Sequence, residues 1–256
     1  MASPSSPFLP PPRIGVLELH GDFAEHTAML RARGAATVPV RTAADLTSDP
    51  PLDGLVLPGG ESSTMAVLLD ALNMTGPLRD LIAGGLPAFG TCAGAILLSD
   101  EVVGKGGESA SVALGGLDVA IRRNGYGTQV HSFEAETEWL PADADAAANV
   151  TAAADTGVDK AAGTGGAVVA PLPNGPLRVV LIRAPVFERV GPGVEVLVSH
   201  EGRAVMVRGG SQRHVLAATF HPELTGDGRV HALFLGIVDE RRRRLIAGKE
   251  EVKPAV

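Results

Sequence analysis

Apolar and polar positions follow two rhythms along the chain. In the first half, short apolar runs rich in branched residues are separated by stretches with helical spacing. Residues 13–19, opening Arg13-Ile14-Gly15-Val16-Leu17, predict a strand, and 23–33 predict a helix that stops at Gly34. Residues 37–40 and 53–57 predict two more strands, the second broken by Pro58-Gly59-Gly60. Helices are predicted over 61–72 and 78–83, then a strand over 86–89 and a further helix from Ala95-Ile96-Leu97-Leu98. Such alternation predicts parallel strands joined by crossover helices. Beyond Gly104 the spacing changes to short strands joined by turns, over 117–122, 132–138, 179–183, 194–199, 204–208 and 215–220, before a last helix from Arg229. The prediction is an α/β fold: a mostly parallel central sheet flanked by helices, with an antiparallel extension and a terminal helix.

The 256 residues fit one α/β domain with decorations or two small domains. One domain over 13–246 is the simpler division. Residues 1–12 are Ser/Pro-rich and read as a disordered tail, without the basic flank and apolar core of a secretory signal. Residues 141–176 are rich in Ala, Gly, Asp and Thr, lack aromatics and read as a surface insertion. Residues 247–256 read as a frayed tail.

A single cysteine excludes an internal disulfide framework and a Cys-rich zinc site. No apolar run approaches the ~18 residues that span a bilayer, so a cytoplasmic protein away from membranes is expected. A formal net charge of −7 argues against general nucleic-acid binding. The one basic cluster, Arg241-Arg242-Arg243-Arg244, ends a helical pattern and reads as a solvated helix terminus; docking onto an acidic surface is the alternative.

That cysteine, Cys92, sits in Phe89-Gly90-Thr91-Cys92-Ala93-Gly94, between an apolar strand and an apolar helix. Gly90-x-Cys92-x-Gly94 is the sulfur counterpart of the G-x-S-x-G elbow, in which small neighbours let the chain turn sharply and present a nucleophile. A thiol at a helix N-terminus is also biased toward the attacking thiolate. The competing reading is a small core thiol.

A cysteine nucleophile needs a base, and the base an orienting group. Of seven histidines only His221 brings a partner with it, in Phe220-His221-Pro222-Glu223. Proline keeps His221 out of the helical region, and in extended chain residues i and i+2 share a side, so Glu223 reaches the imidazole. The weaker reading is a surface turn. Oxyanion donors are expected from the backbone N–H of Ala93 and from the Gly59-Gly60 turn leading into a helix. That turn also reads simply as a β-to-α connection capped by Ser62 or Ser63.

Taken in order, Pro58-Gly59-Gly60-Glu61-Ser62, Gly90-Thr91-Cys92-Ala93-Gly94 and His221-Pro222-Glu223 resemble the class I, triad-type glutamine amidotransferases, which have a flavodoxin-like fold. Ile14-Gly15-Val16-Leu17, Gly21 with Glu25-His26, Arg123-Asn124, Ser132-Phe133-Glu134, Ile182-Arg183-Ala184-Pro185 and Phe220-His221-Pro222-Glu223-Leu224-Thr225 are similar to the glutaminase subunit of pyridoxal 5′-phosphate synthase. The resemblance covers about 13–140 and 177–240.

The resemblance implies that Cys92 attacks the carboxamide of L-glutamine, giving a γ-glutamyl thioester and ammonia. His221 would be the acid/base and Glu223 its orienter. Gly60, Glu61, Ser62, Arg123, Ile182 and Arg183 would line the glutamine pocket. It implies neither cofactor nor metal in the glutaminase, and a partner synthase subunit that receives the ammonia and activates the otherwise idle free subunit. Family members carry Gln before Gly21, where this chain has His20; imidazole keeps the capacity to donate and accept a hydrogen bond. The alternatives are the glutaminase of another amidotransferase, such as imidazole glycerol phosphate synthase, or a non-catalytic subunit of the same fold. An intact Cys92, His221 and Glu223 weigh against the latter.

Overall fold

A computed structural model of the chain describes residues 9–103, 113–125, 133–137 and 175–251. Its central sheet has seven strands in the order β10-β11-β12-β4-β3-β1-β2. Five of them are mutually parallel: β2 (Ala36–Val40), β1 (Arg13–Leu17), β3 (Gly54–Leu57), β4 (Ala88–Thr91) and β12 (Val215–Ala218). The antiparallel strands β11 (Arg203–Gly209) and β10 (Glu195–His200) extend one edge. The expected mostly parallel sheet with an antiparallel extension is what forms.

Strand periodicity divides the apolar side chains between two cores. Leu17, Leu55, Leu57 and Ala88 face one side, against α2 (Ser62–Ala71), α3 (Thr75–Ala83) and α4 (Ala93–Leu98) through Met65, Leu69, Leu78, Ile82 and Leu97. Ile14, Val16, Val56, Phe89 and Leu216 face the other, against α1 (Phe23–Arg31) and α5 (Arg229–Glu251) through Leu30, Phe234 and Val238. A parallel strand covered on both faces is apolar at nearly every position, as β3 and β12 are here. Each fully buried aliphatic or aromatic side chain contributes about 1.5–3 kcal/mol, so the two helical layers hold the sheet by burial.

Several expectations need correction. The second half does not simply continue the central sheet. A separate sheet pairs β5 (Ser99–Val103), β6 (Leu117–Arg122) and β9 (Val186–Val190), and among the described residues β7 (Phe133–Thr137) pairs only with β8 (Leu177–Leu181). β5 and β9 have no counterpart among the predicted strands. Asp100 and Glu101 of β5 and Glu188 and Arg189 of β9 point outward and break the apolar signal. Of the tail expected over 1–12, residues 1–8 lie outside the described residues, but Pro10 and Pro12 are pinned by hydrogen bonds from Arg242 and Ala36.

The last helix runs to Glu251, past residue 246, so 247–251 are helical rather than tail. Arg242 is buried, donating to Pro10 and Asp239 beside Asp53, so part of the basic run is internal structure, not a solvated terminus. Nearly all of the 141–176 insertion lies outside the described residues; at its end the carbonyls of Gly175 and Pro176 accept hydrogen bonds from Arg229. Among the described residues, no helix is long and apolar enough to cross a membrane.

Candidate active site

β4 ends at Thr91 and α4 starts at Ala93, leaving Cys92 alone at the corner with φ 45° and ψ −99°. An L-residue held there costs about 1–3 kcal/mol, and the surroundings must enforce it. They do so at backbone level. The Cys92 amide donates to Ala218 at 2.8 Å, and its carbonyl accepts from Ile96 at 3.2 Å. A Cβ on Gly90 would lie 2.5 Å from the Gly94 carbonyl, and one on Gly94 only 1.9 Å from the Leu57 oxygen. The two glycines are therefore required by close backbone approach, and the corner is the expected elbow. Its cysteine is largely buried but lines a cavity of about 340 Å³, a size suited to a small metabolite.

β12 runs parallel to β4 with Ala218 opposite Thr91, so the strands end side by side. The chain leaving β12 therefore delivers His221 to the same sheet edge as Cys92, where open α/β sheets place their ligands. His221 has φ −108° and ψ 84°, and Pro222–Leu224 then form a single 3₁₀ turn. The expected extended run is thus replaced by a turn, which still brings Glu223 Oε1 to 2.8 Å from His221 Nδ1. Both residues are buried.

A second carboxylate, Asp22, places Oδ2 3.3 Å from the same Nδ1. Burial works against a charged imidazole here, but hydrogen bonds with Asp22, Cys92 and Glu223, together with the Glu223 charge, outweigh it and push the His221 pKa up to about 12. His221 is therefore an imidazolium at neutral pH, the form that stabilises a thiolate and later gives up a proton. The hydrogen bond to His221 in turn lowers the pKa of Asp22. Asp22, His221 and Glu223 hold three potential metal-ligand atoms within 4.8 Å of one another. Nδ1 already carries the proton that both carboxylates share, so a cation there would have to displace it.

Gly60, Glu61, Ser62, Arg123, Ile182 and Arg183 all line the cavity with Cys92 and His221. Glu61 caps α2, accepting from the Thr64 amide at 2.6 Å, and pairs with Arg123 at 2.7 Å. Despite some desolvation, those amide bonds and Arg123 hold its pKa below the usual carboxylate value. Ser62 is buried, and its hydroxyl has no hydrogen-bond partner among the described residues. Arg183 adopts φ 44° in the turn between β8 and β9, a strained conformation for a residue other than glycine, and pairs with no acidic group among the described residues. Glu223 lies behind His221 rather than on the cavity wall. Gly59 packs on the imidazole, where an added Cβ would stand 2.4 Å from His221 Cε1, and Ala93 opens α4 behind the thiol.

This geometry agrees with what the chain is similar to. A profile of the SNO glutamine amidotransferase family matches residues 16–156 and 171–240. The chain belongs to the SNO glutamine amidotransferase family. A pyridoxal 5′-phosphate synthase subunit PdxT from Mycobacterium avium (strain 104) is 44% identical over 89% of this chain and 96% of its own length. A protein of the same name from Parafrankia sp. (strain EAN1pec) is 48% identical over 89% of this chain and 93% of its own. Among solved structures, a glutamine amidotransferase crystal structure is 36% identical with a TM-score of 0.68, covering 88% of this chain and 98% of that one.

Within this family member, His20 occupies the position noted above as a departure. It lines the cavity, and its Nδ1 accepts from the Glu61 amide at 3.4 Å, so imidazole does take up a hydrogen bond at the Gly59-Gly60 turn. The sequence reading missed Asp22. Its only local signal is position: Gly21, with φ 93°, is jammed against Gly59, where a Cβ would lie 1.6 Å from the Gly59 oxygen, and that contact carries Asp22 to the imidazole. His26 was also passed over as a functional residue. Its signal was a polar residue on the apolar face of α1, in register with Phe23 and Leu30.

Proposed function

We propose that this chain is the glutaminase subunit of a pyridoxal 5′-phosphate synthase, hydrolysing L-glutamine to L-glutamate and ammonia and delivering the ammonia to a synthase partner. One observation carries the reading: a strained elbow cysteine and a buried imidazole, itself held by a carboxylate at 2.8 Å, on the wall of one small cavity.

In this reading the Cys92 sulfur attacks the glutamine carboxamide carbon. The oxyanion that forms is held by backbone N–H groups at Ala93 and at the Gly59-Gly60 turn. His221 gives its proton to the leaving nitrogen as the C–N bond breaks, releasing ammonia and leaving a γ-glutamyl thioester. His221, now neutral, takes a proton from water as that water attacks the thioester, and breakage of the C–S bond frees glutamate and restores the thiolate–imidazolium pair. Glu223 keeps the Nδ1 proton in place throughout.

Arg183 meets the substrate α-carboxylate. The Ser62 hydroxyl, Glu61 and backbone at Gly60 and Ile182 take its ammonium, and Arg123 holds Glu61. Ammonia released to bulk water at neutral pH becomes mostly ammonium and is lost as a nucleophile, which is why the partner must be docked. A lone reduced thiol as the working group fits the cytoplasm.

The test is Cys92→Ala mixed with a synthase subunit. Glutamine-dependent product and glutamate release should disappear, while product made from added ammonium salt persists. Glutamate release by the alanine variant would overturn the assignment.

A further inference from the structure

Glu223 is a buried carboxylate with only one oxygen accounted for. Oε1 accepts from His221, but Oε2 is buried and accepts no hydrogen bond among the described residues. A buried anionic oxygen without a donor is costly, so the ring beside it matters. That ring is His26 on α1, whose Nε2 lies 3.4 Å from Oε2. His26 is fully buried, and its other contacts are specific. Nε2 is 2.9 Å from the hydroxyl of Thr91, the residue before the nucleophile, and Nδ1 is 3.0 Å from Nε2 of His231 on α5. Both rings stand edge-on to Phe89, with centroids 5.7 Å away.

Counting protons selects the tautomer. Burial pulls the His26 pKa down to about 4 against the attraction of Glu223, and that of His231 to about 3, so each ring carries one N–H at neutral pH. With its proton on Nδ1, His26 would turn a lone pair toward a carboxylate oxygen and leave that oxygen without a donor. With the proton on Nε2, the N–H faces Thr91 and Glu223, and the Nε2–H of His231 donates to the bare Nδ1 of His26. The nitrogen then left over is Nδ1 of His231, which is the ring nitrogen found buried without a partner. An unmatched acceptor is the more tolerable defect; a stranded N–H is rarer in folded proteins.

We infer that His26 is a positioning residue for the glutaminase reaction, donating from Nε2 to Thr91 and holding the positive edge of the same N–H 3.4 Å from Glu223 Oε2, and so bracing both the carboxylate that orients His221 and the strand end that carries Cys92. It does not line the cavity and acts only through these neighbours. His231 sets its tautomer from α5. The inference rests on the triad roles proposed above.

Two measurements test it. In the full chain labelled with ¹⁵N-histidine, the His26 resonances, assigned by their loss in His26→Gln, should show a protonated Nε2 and a bare Nδ1 at neutral pH. The reverse assignment overturns the inference, and this readout needs no variant to be active. Kinetics of the complex with a synthase subunit supply the second. His26→Phe should lower kcat for glutamine about 10- to 100-fold with KM within about twofold, while ammonia-driven synthesis by the same complex is unchanged. His26→Gln, which keeps an N–H near the Nε2 position, should recover most of that loss. A His26→Phe kcat close to wild type, or a His26→Gln kcat no better than that of His26→Phe, overturns it. Should the Phe variant fail to fold, the tautomer and the Gln variant decide. Glutamine hydrolysis by Cys92→Ala would instead sink the triad reading, whatever the tautomer.

Discussion

The elbow and the glutamine pocket wall face the same cavity but are built on opposite plans. Around Cys92 every constraint is backbone against backbone: two glycines that admit no Cβ, a strained residue tied to Ala218 and Ile96, and a parallel strand that sets where His221 emerges. The wall formed by Glu61, Arg123 and Arg183 is partly exposed and held by side chains and turn conformations, such as the Glu61–Arg123 pair and the left-handed Arg183. The contrast teaches where tolerance lies. Covalent chemistry rests on a frame that cannot yield, and substrate recognition on one that can be adjusted residue by residue.

The largest break in that comparison should come from Gly94→Ala. Its methyl group would meet the Leu57 oxygen at 1.9 Å, and neither β3 nor α4 can withdraw without opening the core. Overpacking of this kind costs about 3 kcal/mol, and glutamine turnover should fall to background even in protein that folds. Gly76→Ala, on α3 where an added Cβ meets nothing within 4 Å, should leave both properties near wild type. Thermal denaturation with a glutaminase assay checks the pair. Equal behaviour of the two variants would remove the backbone argument.

The next largest effect is on stability against pH, and it separates the buried side from the exposed one. His26 and His231 have folded pKa values near 4 and 3 because burial disfavours their charged forms. As pH falls below about 6.5, the unfolded chain takes up protons that the folded chain refuses, so stability drops toward pH 4. His221, raised to about 12, contributes fully below about pH 6.5 and loses that contribution as pH climbs toward 12. Stability from these histidines should therefore peak near pH 6.5 and lose about 2 kcal/mol per buried histidine by about pH 4.5. Glu61 and Asp22, with lowered pKa values, add a smaller loss in the same direction, because their carboxyls in the unfolded chain begin to take up protons at the low end of that window. Urea unfolding at the two pH values measures it, and a flat profile would mean that the pair behind Glu223 is not held neutral.

The same contrast explains what could be read from residues alone. Gly90-x-Cys92-x-Gly94 was legible because close backbone approach has one chemical solution, glycine, and leaves a mark in the sequence. His221 and Glu223 were legible through Pro222, which restricts its neighbour, although the pair closes through a 3₁₀ turn and not an extended run. Pocket residues such as Arg123 and Arg183 carried no such mark, because a charged residue in a turn looks the same on any surface; only the family resemblance singled them out. Asp22 and His26 escaped because their partners lie far along the chain, His221 for one, and Thr91, Glu223 and His231 for the other. β5 and β9 were hidden by their outward polar residues.

On the pocket side, Arg183→Gln should change recognition and spare chemistry. A hydrogen bond to a charged group contributes about 1.5–3 kcal/mol, so KM for glutamine should rise roughly 10- to 100-fold with kcat nearly unchanged. A fall in kcat with constant KM would move Arg183 to the chemical side and blur the division drawn above.

Asp22 is the residue that sits across that division, and its effect should be the smallest. It lines the cavity on a partly exposed loop, yet its carboxylate shares His221 Nδ1 with Glu223, and its amide donates to Gly59 at 3.2 Å in the oxyanion turn. Two carboxylates on one N–H hold the imidazolium more firmly than a proton donor needs, since general acids work best with a pKa near the working pH. Asp22→Asn keeps the side-chain shape and removes one charge, while Glu223 still orients the ring. A half-exposed ion pair of this kind is worth about 0.5–1 kcal/mol, so His221 becomes a slightly stronger acid and kcat should rise about two- to fivefold. The rise should be greatest without the synthase subunit, where nothing else draws the His20–Asp22 loop from the ring. Measuring kcat of Asp22→Asn with and without the partner decides whether the second carboxylate restrains the triad: a narrower ratio between the two conditions supports it, and a fall in both would make Asp22 a second orienter on equal terms with Glu223.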